Sequence, residues 1–249
     1  MQKLYGKSCL ITGTNRGLGK AIMEEFAKEG ANIYAHARRE TSEFVSLTEE
    51  VASKCGVSIT PVYFDMTDYS AMKTAIMDIM KRRESVDVLV NSAGIAHGGF
   101  LQSTPLGIIK DVFEVNFFSV ISLSQLIVKL MTRNKTKGAI VNIASIAGLD
   151  LNQGNCAYGL SKASVIALTK LMAKEYTRGG IRVTAVAPGL IDTGMARQME
   201  VKAGKAMVED SLMKRLGRPE EVARLVAFLA SDEASFISGE IVRIDGGKV

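Results

Sequence analysis

Residues 8–19 read Ser8-Cys9-Leu10-Ile11-Thr12-Gly13-Thr14-Asn15-Arg16-Gly17-Leu18-Gly19. The apolar run at the start predicts a buried strand, and the segment after the glycines predicts a helix that continues to Lys28. Glycines at this position allow a tight turn and let a phosphate approach the helix N-terminus, where unpaired N–H groups favour negative charge. The spacing Gly13-x-x-x-Gly17-x-Gly19 differs from the commoner G-x-G-x-x-G, but the strand–turn–helix context still indicates a nucleotide site.

Short apolar runs alternate with helix-period segments along the whole chain. We predict strands at 8–12, 31–37, 57–64, 86–91, 138–143, 181–186 and 240–244, with helices at 40–54, 69–83, 106–113, 116–133, 157–178 and 219–230 besides the first. Strands that alternate with helices form a parallel sheet with right-handed crossovers and helices on both faces. We therefore predict an α/β fold, a Rossmann-type doubly wound parallel sheet, in a single domain over residues 1–249.

Composition excludes several other classes of protein. The 249 residues are 47% hydrophobic, and the formal charge of +5 comes from basic residues interspersed with acidic ones, which argues against a nucleic-acid surface. Cys9, Cys55 and Cys156 have neither metal-site spacing nor an even number, so we expect reduced thiols and no metal. The N-terminus runs into a strand and no apolar run approaches the length of about 20 residues that spans a bilayer, so we expect a cytoplasmic protein without a signal peptide or membrane contact.

The end of the second predicted strand indicates which nucleotide is bound. An acidic residue about 20 residues after the glycine turn would bind a ribose hydroxyl in an NAD site. This strand ends in Arg38 and Arg39 instead, and a guanidinium is the group that holds a 2′-phosphate. Arg16, inside the glycine turn, could reach the same phosphate from the other side. The pattern favours NADP(H) over NAD(H).

The next two strands also end in residues suited to this ligand. Asp65 could accept a hydrogen bond from the adenine amino group, and Met66 could pack against the ring. Asn91 ends the fourth strand, and the small residues Ser92, Ala93 and Gly94 that follow it leave room for a ribose.

A tyrosine and a lysine lie four residues apart in Tyr158-Gly159-Leu160-Ser161-Lys162. This spacing puts both on one face of a helix. A nearby ammonium favours the phenolate, so we expect Lys162 to lower the pKa of Tyr158 and to bring it closer to the range of proton transfer. Ser145 follows the fifth strand and could hold a substrate oxygen beside Tyr158. Asn116, a polar residue in an apolar helix, either bonds to its own backbone or anchors a water that relays protons to Lys162.

Together these motifs resemble the short-chain dehydrogenase/reductase family over nearly the whole chain. The matching elements, in the family's order and spacing, are Thr12-Gly13-x-x-x-Gly17-x-Gly19, Asn91-Ser92-Ala93-Gly94, Asn116, Ser145, Tyr158-x-x-x-Lys162 and Pro188-Gly189. Ser92 departs from the pattern, which usually has a second Asn there; we expect the turn to survive the change.

The resemblance implies a catalytic tetrad of Asn116, Ser145, Tyr158 and Lys162. It implies a nicotinamide site in which Lys162 also binds the ribose and in which the carboxamide is surrounded by Pro188, Gly189, Ile191 and Thr193. It further implies a homotetramer, with a dimer as the second choice, built on the helices at 116–133 and 157–178 and on the C-terminal strand.

The substrate is less well defined by the sequence. The glycine turn and the segment 228–240 are similar to bacterial 3-oxoacyl-[acyl-carrier-protein] reductases, and Arg133, Lys135 and Arg178 could meet an acidic carrier protein. The loop 96–104 lacks the Arg- and Met-rich pattern of those reductases, so a sugar, polyol or other small ketone is the alternative substrate. A regulatory nucleotide-binding protein without turnover is a distant third, because it would not need the tetrad.

Several residues near the expected cleft are weaker candidates. Asn155 could contact the substrate, and Cys156 is expected to line the cleft wall. His97 at the mouth of the cleft and His36 near the adenosine end are expected to be loop and strand residues rather than catalysts. The Met-rich segment 190–216 is either a pair of surface helices or a lid over the substrate.

Overall fold

Seven parallel strands form one sheet at the centre of the structure, a computed structural model that describes residues 2–82, 85–194, 208–209 and 211–247. The strands are β1 Ser8–Ile11, β2 Asn32–Ala37, β3 Ile59–Tyr63, β4 Val88–Asn91, β5 Ala139–Ile143, β6 Arg182–Pro188 and β7 Ile241–Ile244. They lie in the order β3-β2-β1-β4-β5-β6-β7, and every neighbouring pair is parallel. The strand order reverses between β1 and β4, which is where sheets of this kind bind their ligands.

Helices cover both faces of the sheet. They are α1 Gly17–Lys28, α2 Ser42–Cys55, α3 Tyr69–Lys81, α4 Leu106–Phe113, α5 Ser119–Asn134, α6 Ile146–Asp150, α7 Cys156–Tyr176 and α8 Pro219–Ala230. A π-helical turn, Glu114–Phe118, joins α4 to α5. Side chains of α1, α2 and α8 share one hydrophobic core with the sheet, and side chains of α3, α5 and α7 share the other.

The central strand β1 shows why the sheet holds the glycine turn firmly. Cys9 and Ile11 lie in the core on the α1 side, and Leu10 lies in the core on the opposite side. All three are 0% exposed, as expected for a strand that is covered on both faces. The residues that follow, starting with Thr12, are therefore anchored at the carboxyl edge of the sheet.

The predicted fold class is confirmed, and most strand and helix ends agree to within one or two residues. The sequence did not predict α6. This helix has only five residues, too few to show a hydrophobic period. The helix predicted at 157–178 begins at Cys156 and ends in a 3₁₀ turn, Thr177–Gly179.

One helix is more apolar than expected. α4, the π turn and α5 form a continuous helix, Leu106–Asn134, which by length and composition alone could cross a membrane. Its mean hydropathy reaches 1.5, so the expectation that no segment approaches this length was wrong. Half of that window is buried inside the protein, where Leu123 and Ile127 pack in the core with Leu89 and Ile140 of the sheet. A core helix passes the same test, so the finding is weak evidence for a membrane span.

The segment after β6 is described mainly at its two ends. Ile191 pairs with Gly217 in a short parallel bridge, and the Ser211 hydroxyl donates a hydrogen bond to the Gly246 carbonyl at 3.1 Å. The lid predicted within 190–216 falls largely on residues 195–207 and 210, which lie outside the described residues.

Candidate active site

The turn after β1 has a backbone shape that glycine adopts at low cost. Gly13 has φ 74° and Gly17 has φ 57°, both in the left-handed region. A Cβ on Gly19 would lie 2.1 Å from the Gly13 carbonyl oxygen, too close for any side chain. All three glycines of the predicted motif are therefore required by the geometry of the turn.

The turn packs against the residues that follow β4. A Cβ on Gly13 would lie 3.0 Å from Ala93 Cα. Thr12 Oγ1 accepts hydrogen bonds from the backbone N–H groups of Ser92 and Ala93, both at 2.9 Å. The two strand ends on either side of the switch point are thus joined. The bond from Ser92 uses its backbone, which explains why the turn tolerates Ser in place of Asn.

The N-terminus of α1 presents backbone N–H groups. Arg16 precedes the helix in an extended conformation, and among the described residues no side chain caps this end. Asn15 and Arg16 are exposed, Thr14 is buried, and Leu18 packs against the core. Uncapped N–H groups at a helix N-terminus bind phosphate, and the glycines let it come close. The turn therefore fits the pyrophosphate of a dinucleotide.

Arg38, which follows β2, pairs with Asp65, which follows β3. The distance from Arg38 Nε to Asp65 Oδ2 is 2.7 Å. Asp65 Oδ1 accepts hydrogen bonds from the backbone N–H and the hydroxyl of Thr67, at 2.9 and 2.8 Å. The bond from the Thr67 N–H is the main cause that holds the pKa of Asp65 below its ordinary value, with Arg38 adding to it. Asp65 is thus a carboxylate that holds the Nε edge of Arg38.

The structure changes the expectation for the two residues assigned to adenine. Met66 is 7% exposed and lies in the core with Phe64 and Met72, so little of its side chain is left to contact a ring. Its contact with adenine stays a prediction. Both carboxylate oxygens of Asp65 already have a partner, Arg38 at Oδ2 and Thr67 at Oδ1. An adenine amino group would have to donate to a second lone pair on one of these oxygens.

Asn91, at the end of β4, belongs to a buried chain of polar side chains. Its Nδ2 donates to Asn142 Oδ1 at 2.8 Å and to Ser124 Oγ at 3.2 Å, and Asn142 Nδ2 donates to Thr169 Oγ1 at 2.9 Å. This chain ties β4 and β5 to α5 and α7. Asn91 Oδ1 has no hydrogen-bond partner within the described part of the chain. A buried unpaired acceptor costs about 1–3 kcal/mol, so a water or ligand donor would be stabilised there.

Tyr158, in the first turn of α7, lies near enough to Ser145 for that side chain to affect its pKa. Ser145 caps α6: its Oγ accepts a hydrogen bond from the Ala147 N–H at 3.1 Å. Burial raises the pKa of Tyr158 above its ordinary value of 10.0, and the Ser145 side chain offsets this in part. The phenol is therefore protonated at neutral pH, which is the state that a proton donor requires.

Lys162 lies beside Tyr158, as the four-residue spacing predicts. Its Nζ is 5.8 Å from the centroid of the Tyr158 ring and donates a hydrogen bond to the Ile143 carbonyl at 2.7 Å. Burial lowers the pKa of Lys162 to about 8, so the ammonium form still dominates at pH 7. We predicted a net lowering of the Tyr158 pKa, and the direction was wrong: burial of the phenol raises the pKa.

Asn116 is 0% exposed and lies in the π-helical turn. Its Nδ2 donates to the Ile95 carbonyl at 2.8 Å and to Ser161 Oγ at 3.0 Å, and its Oδ1 accepts from the Ile95 N–H at 2.8 Å. The amide therefore binds the loop after β4 and α7 rather than its own helix backbone. Both amide hydrogens already have an acceptor. A water that relays protons to Lys162 could therefore bind the Asn116 side chain only at Oδ1.

Gly94 lies between Asn116 and Lys162. A Cβ on Gly94 would be 3.1 Å from Asn116 Oδ1 and 3.6 Å from Lys162 Nζ. The loop after β4 thus passes between the amide and the ammonium, and a larger side chain there would press on both groups.

The loop after β6 comes close to two other parts of the site. Gly189, which follows Pro188, has no room for a side chain, because a Cβ would lie 2.8 Å from Asp245 Cα. A Cβ on Gly17 would lie 3.7 Å from Thr193 Cβ. The loop predicted to surround the carboxamide therefore reaches the glycine turn.

The expected substrate side has a wall made by two loops. The Gly99 N–H donates to the Gly154 carbonyl at 2.7 Å, and the Cys156 N–H donates to the Gly99 carbonyl at 3.2 Å. Asn155 pairs with Gly99 in this short bridge and precedes α7. Asn155 is half-buried beside the first turn of the helix that holds Tyr158, which keeps it a candidate for a substrate contact.

Sequence reasoning missed residues that support the site from behind. Ser161 Oγ donates to the Tyr158 carbonyl at 2.8 Å and accepts the bond from Asn116. His36 is 2% exposed and bonds to the glycine turn. The sequence analysis placed His36 on its strand near the adenosine end but missed the role of its ring, and a helical serine such as Ser161 gives no signal at all.

Comparisons with known proteins agree with this arrangement. A family profile described as enoyl-(acyl carrier protein) reductase matches residues 13–248. The 3-oxoacyl-[acyl-carrier-protein] reductase of Thermotoga maritima is 37% identical over 249 residues, 99% of each chain. The enzyme of the same name from Aquifex aeolicus is 35% identical over 246 residues, 98% of each chain.

A solved structure is also similar over the full fold. A crystal structure assigned to a gluconate dehydrogenase from Agrobacterium tumefaciens superposes with a TM-score of 0.92 at 28% identity, covering 98% of this chain and 96% of the other.

A glycine turn at the switch point of a parallel sheet, next to buried Ser145 and Lys162 and half-buried Tyr158, defines an oxidoreductase with a nicotinamide cofactor. The chain belongs to the short-chain dehydrogenase/reductase family. The resemblance inferred from the sequence is thereby confirmed.

Proposed function

We propose that the chain catalyses the NADPH-dependent reduction of a 3-oxoacyl-[acyl-carrier-protein] to the 3-hydroxyacyl form, with Tyr158 as the proton donor. The observation that supports this best is the position of Lys162, whose Nζ lies 5.8 Å from the Tyr158 ring centroid and bonds to the Ile143 carbonyl at the end of β5, close to Ser145. The support for the substrate comes from relatives of this name, which are 34–37% identical over nearly the whole chain.

The side chains can complete the reduction of a carbonyl once a hydride is available. A bound nicotinamide cofactor supplies that hydride to the carbonyl carbon. Ser145 Oγ accepts from the Ala147 N–H, so its own hydrogen is left to donate to the substrate oxygen. As negative charge develops on that oxygen, Tyr158 transfers its proton to it. A new O–H bond forms, the phenol O–H bond breaks, and Tyr158 is left as a phenolate.

Lys162 stabilises the phenolate that this step produces. With a pKa of about 8 the side chain is mostly an ammonium at neutral pH, and its Nζ lies 5.8 Å from the Tyr158 ring centroid. Opposite charges attract strongly in a buried site, where water screens little. Asn116 acts at a distance, through its bond to Ser161, by fixing the turn of α7 between Tyr158 and Lys162.

Arg38 and Arg16 support the choice of NADP(H). The bond to Asp65 uses Arg38 Nε, and the two terminal nitrogens of a guanidinium can still donate side by side to a 2′-phosphate. Arg16 is exposed in the glycine turn and could donate to the same phosphate. Lys162 would contact the ribose, as the family pattern implies. Asn91 is a further candidate for a cofactor contact, because its Oδ1 has no hydrogen-bond partner among the described residues.

Three exposed basic residues support a carrier protein as the partner. Arg133 lies in the last turn of α5, Lys135 follows that helix, and Arg178 lies in the 3₁₀ turn after α7. These groups would attract an acidic carrier protein, and the attraction would mainly raise the rate of association.

Absorbance of NADPH with a panel of substrates tests the proposal. We expect turnover with 3-oxoacyl thioesters, and a lower KM when the acyl group is attached to the carrier protein. The panel includes a trans-2-enoyl thioester, because the matching profile is described as an enoyl reductase. Turnover of the enoyl but not the 3-oxoacyl thioester would contradict carbonyl reduction. Absence of turnover with every member would favour a regulatory nucleotide-binding protein.

A keto sugar acid is the second candidate substrate. The similar structure assigned to a gluconate dehydrogenase, with its TM-score of 0.92, is the observation that favours it. Oxo derivatives of gluconate therefore belong in the same panel. Activity with these compounds alone would replace the carrier-protein proposal.

We further propose a cytoplasmic homotetramer. Phe118 and Leu160 are exposed by 45% and 43% on the two helices that the family pattern implies at an interface, and Phe236 is fully exposed near β7. Apolar side chains of this size on a surface mark interaction sites. Sedimentation equilibrium would measure the number of subunits, with a dimer as the competing result.

A further inference from the structure

We propose that His36 is a positioning residue for the cofactor: its neutral imidazole holds the Gly13 amide and so fixes the turn that receives the pyrophosphate. The inference rests on the proposed cofactor site but assigns it a residue outside the tetrad and the glycines.

Both ring nitrogens of His36 have a partner. Nδ1 lies 3.2 Å from the Gly13 backbone nitrogen, and Nε2 lies 2.9 Å from the Phe64 carbonyl oxygen. The backbone takes part as well, because the His36 carbonyl accepts from the Thr14 N–H at 2.9 Å and from the Thr14 hydroxyl at 3.0 Å. One residue of β2 therefore fixes two successive residues of the glycine turn.

The partners determine the proton on the ring. A backbone N–H can only donate, so Nδ1 must accept from Gly13, and Nε2 must then carry the hydrogen that is donated to Phe64. An imidazolium would place an N–H against the Gly13 N–H. The ring is 2% exposed, and burial lowers the pKa of His36 to about 4 against the opposing effect of Asp65. The side chain is thus neutral at physiological pH and satisfies both bonds.

This position connects the two ends of the nucleotide site. The Phe64 carbonyl accepts the bond from Nε2, and the centroids of the Phe64 and His36 rings are 4.1 Å apart. Phe64 immediately precedes Asp65, the partner of Arg38. Gly13 is in the left-handed region and packs on Ala93. Loss of the Nδ1 bond would free the Gly13 peptide to rotate, which would misalign the N–H groups that follow it for the phosphate.

Two substitutions separate the two bonds. In His36→Asn, Oδ1 takes the place of Nδ1 and can still accept from Gly13, while the bond to Phe64 is lost. In His36→Gln, the amide reaches the place of Nε2 and can still bond to Phe64, while Gly13 loses its acceptor. Each variant loses one buried bond, so we expect similar losses in thermal stability.

Titration by NADPH fluorescence measures the Kd without any substrate. We expect His36→Gln to weaken NADPH binding about tenfold, the worth of one buried hydrogen bond, with kcat at saturating NADPH nearly unchanged. His36→Asn should stay within about threefold of the unsubstituted chain. His97→Gln, at the other histidine, serves as the control and should leave the Kd unchanged.

The outcomes distinguish this inference from the proposed function. Equal Kd values for His36→Asn and His36→Gln, or a lower kcat with an unchanged Kd, would overturn the positioning role. If the unsubstituted chain binds neither NADPH nor NADH, the cofactor site itself is wrong.

Discussion

At the glycine turn the groups offered to a ligand are backbone N–H groups, whereas at the start of α7 they are side chains. The turn is held by glycine geometry and by contacts from β2 and β4, and its shape depends on the absence of side chains at Gly13, Gly17 and Gly19. Tyr158 and Lys162 are instead polar groups with shifted pKa values, the first half-buried and the second buried. The first region suits a pyrophosphate, a group common to all dinucleotides, and the second suits atoms whose charge changes during a reaction.

The comparison predicts that removing the phenol hydroxyl affects chemistry and not binding. Tyr158→Phe should lower kcat about a thousandfold, because a positioned general acid contributes two to four orders of magnitude. The NADPH Kd should change little, since the glycine turn is untouched. Stopped-flow measurement of the hydride-transfer rate and fluorescence titration would give the two values.

Tyr176→Phe, at the other end of α7, is the matched control and should keep full activity. If Tyr158→Phe remains active, Tyr158 is not the proton donor. If it loses cofactor affinity instead of rate, the two regions are not functionally separate.

A second prediction concerns the choice between NADPH and NADH. Arg38→Asp removes the donors for a 2′-phosphate and puts a negative charge in their place. We expect the ratio of kcat/KM for NADPH over NADH to fall about a hundredfold, as for the loss of charge-assisted hydrogen bonds.

Arg39→Asp makes the same change of charge one residue later, on an exposed side chain. Arg39→Asp should alter the ratio far less, because Arg38 is the arginine that pairs with Asp65. An unchanged ratio in Arg38→Asp would overturn the assignment of NADP(H).

The smallest effect is a dependence of stability on pH through His36. Its pKa falls from 6.5 to about 4 on folding, so the unfolded chain binds the proton more readily. The free energy of unfolding should therefore decrease as the pH falls from 7 to 5, by about 2 kcal/mol from this residue. Urea unfolding at both pH values measures the decrease.

The same pair of measurements on His36→Asn should show a smaller decrease, because that variant has no imidazole to protonate at this position. The carboxylates with lowered pKa values, such as Asp65, titrate below this range and contribute little to it. An equal decrease in both chains would mean that other groups account for it, and that the His36 pKa is not lowered by burial.

The fold and the chemical residues could be predicted because their signals are local in sequence. The alternation of strands and helices fixed the sheet, and the spacing of Tyr158 and Lys162 fixed their common helix face. Ser145 could be placed at the edge of the sheet that binds the cofactor because it follows β5, and the carboxyl ends of parallel strands lie at one edge.

The remaining features depend on contacts between distant segments. The bonds of His36 to Gly13 and to Phe64 require the parallel register of β1, β2 and β3, in which Ile33 lies beside both Cys9 and Ile59. The direction of the Tyr158 pKa shift depended on burial, which the spacing to Lys162 could not reveal. The core position of Met66 likewise became evident only from the packing of α3.

The π-helical turn affects the direction in which the Asn116 side chain leaves the long helix. A π turn amounts to one residue inserted into an α-helix, which rotates everything after it by about 100°. Asn116 lies within this turn, and its amide meets the Ile95 backbone and Ser161 of α7. Deleting a single residue from the turn would rotate Asn116 relative to α5 by about 100°, so that one amide could no longer bond to both Ile95 and Ser161.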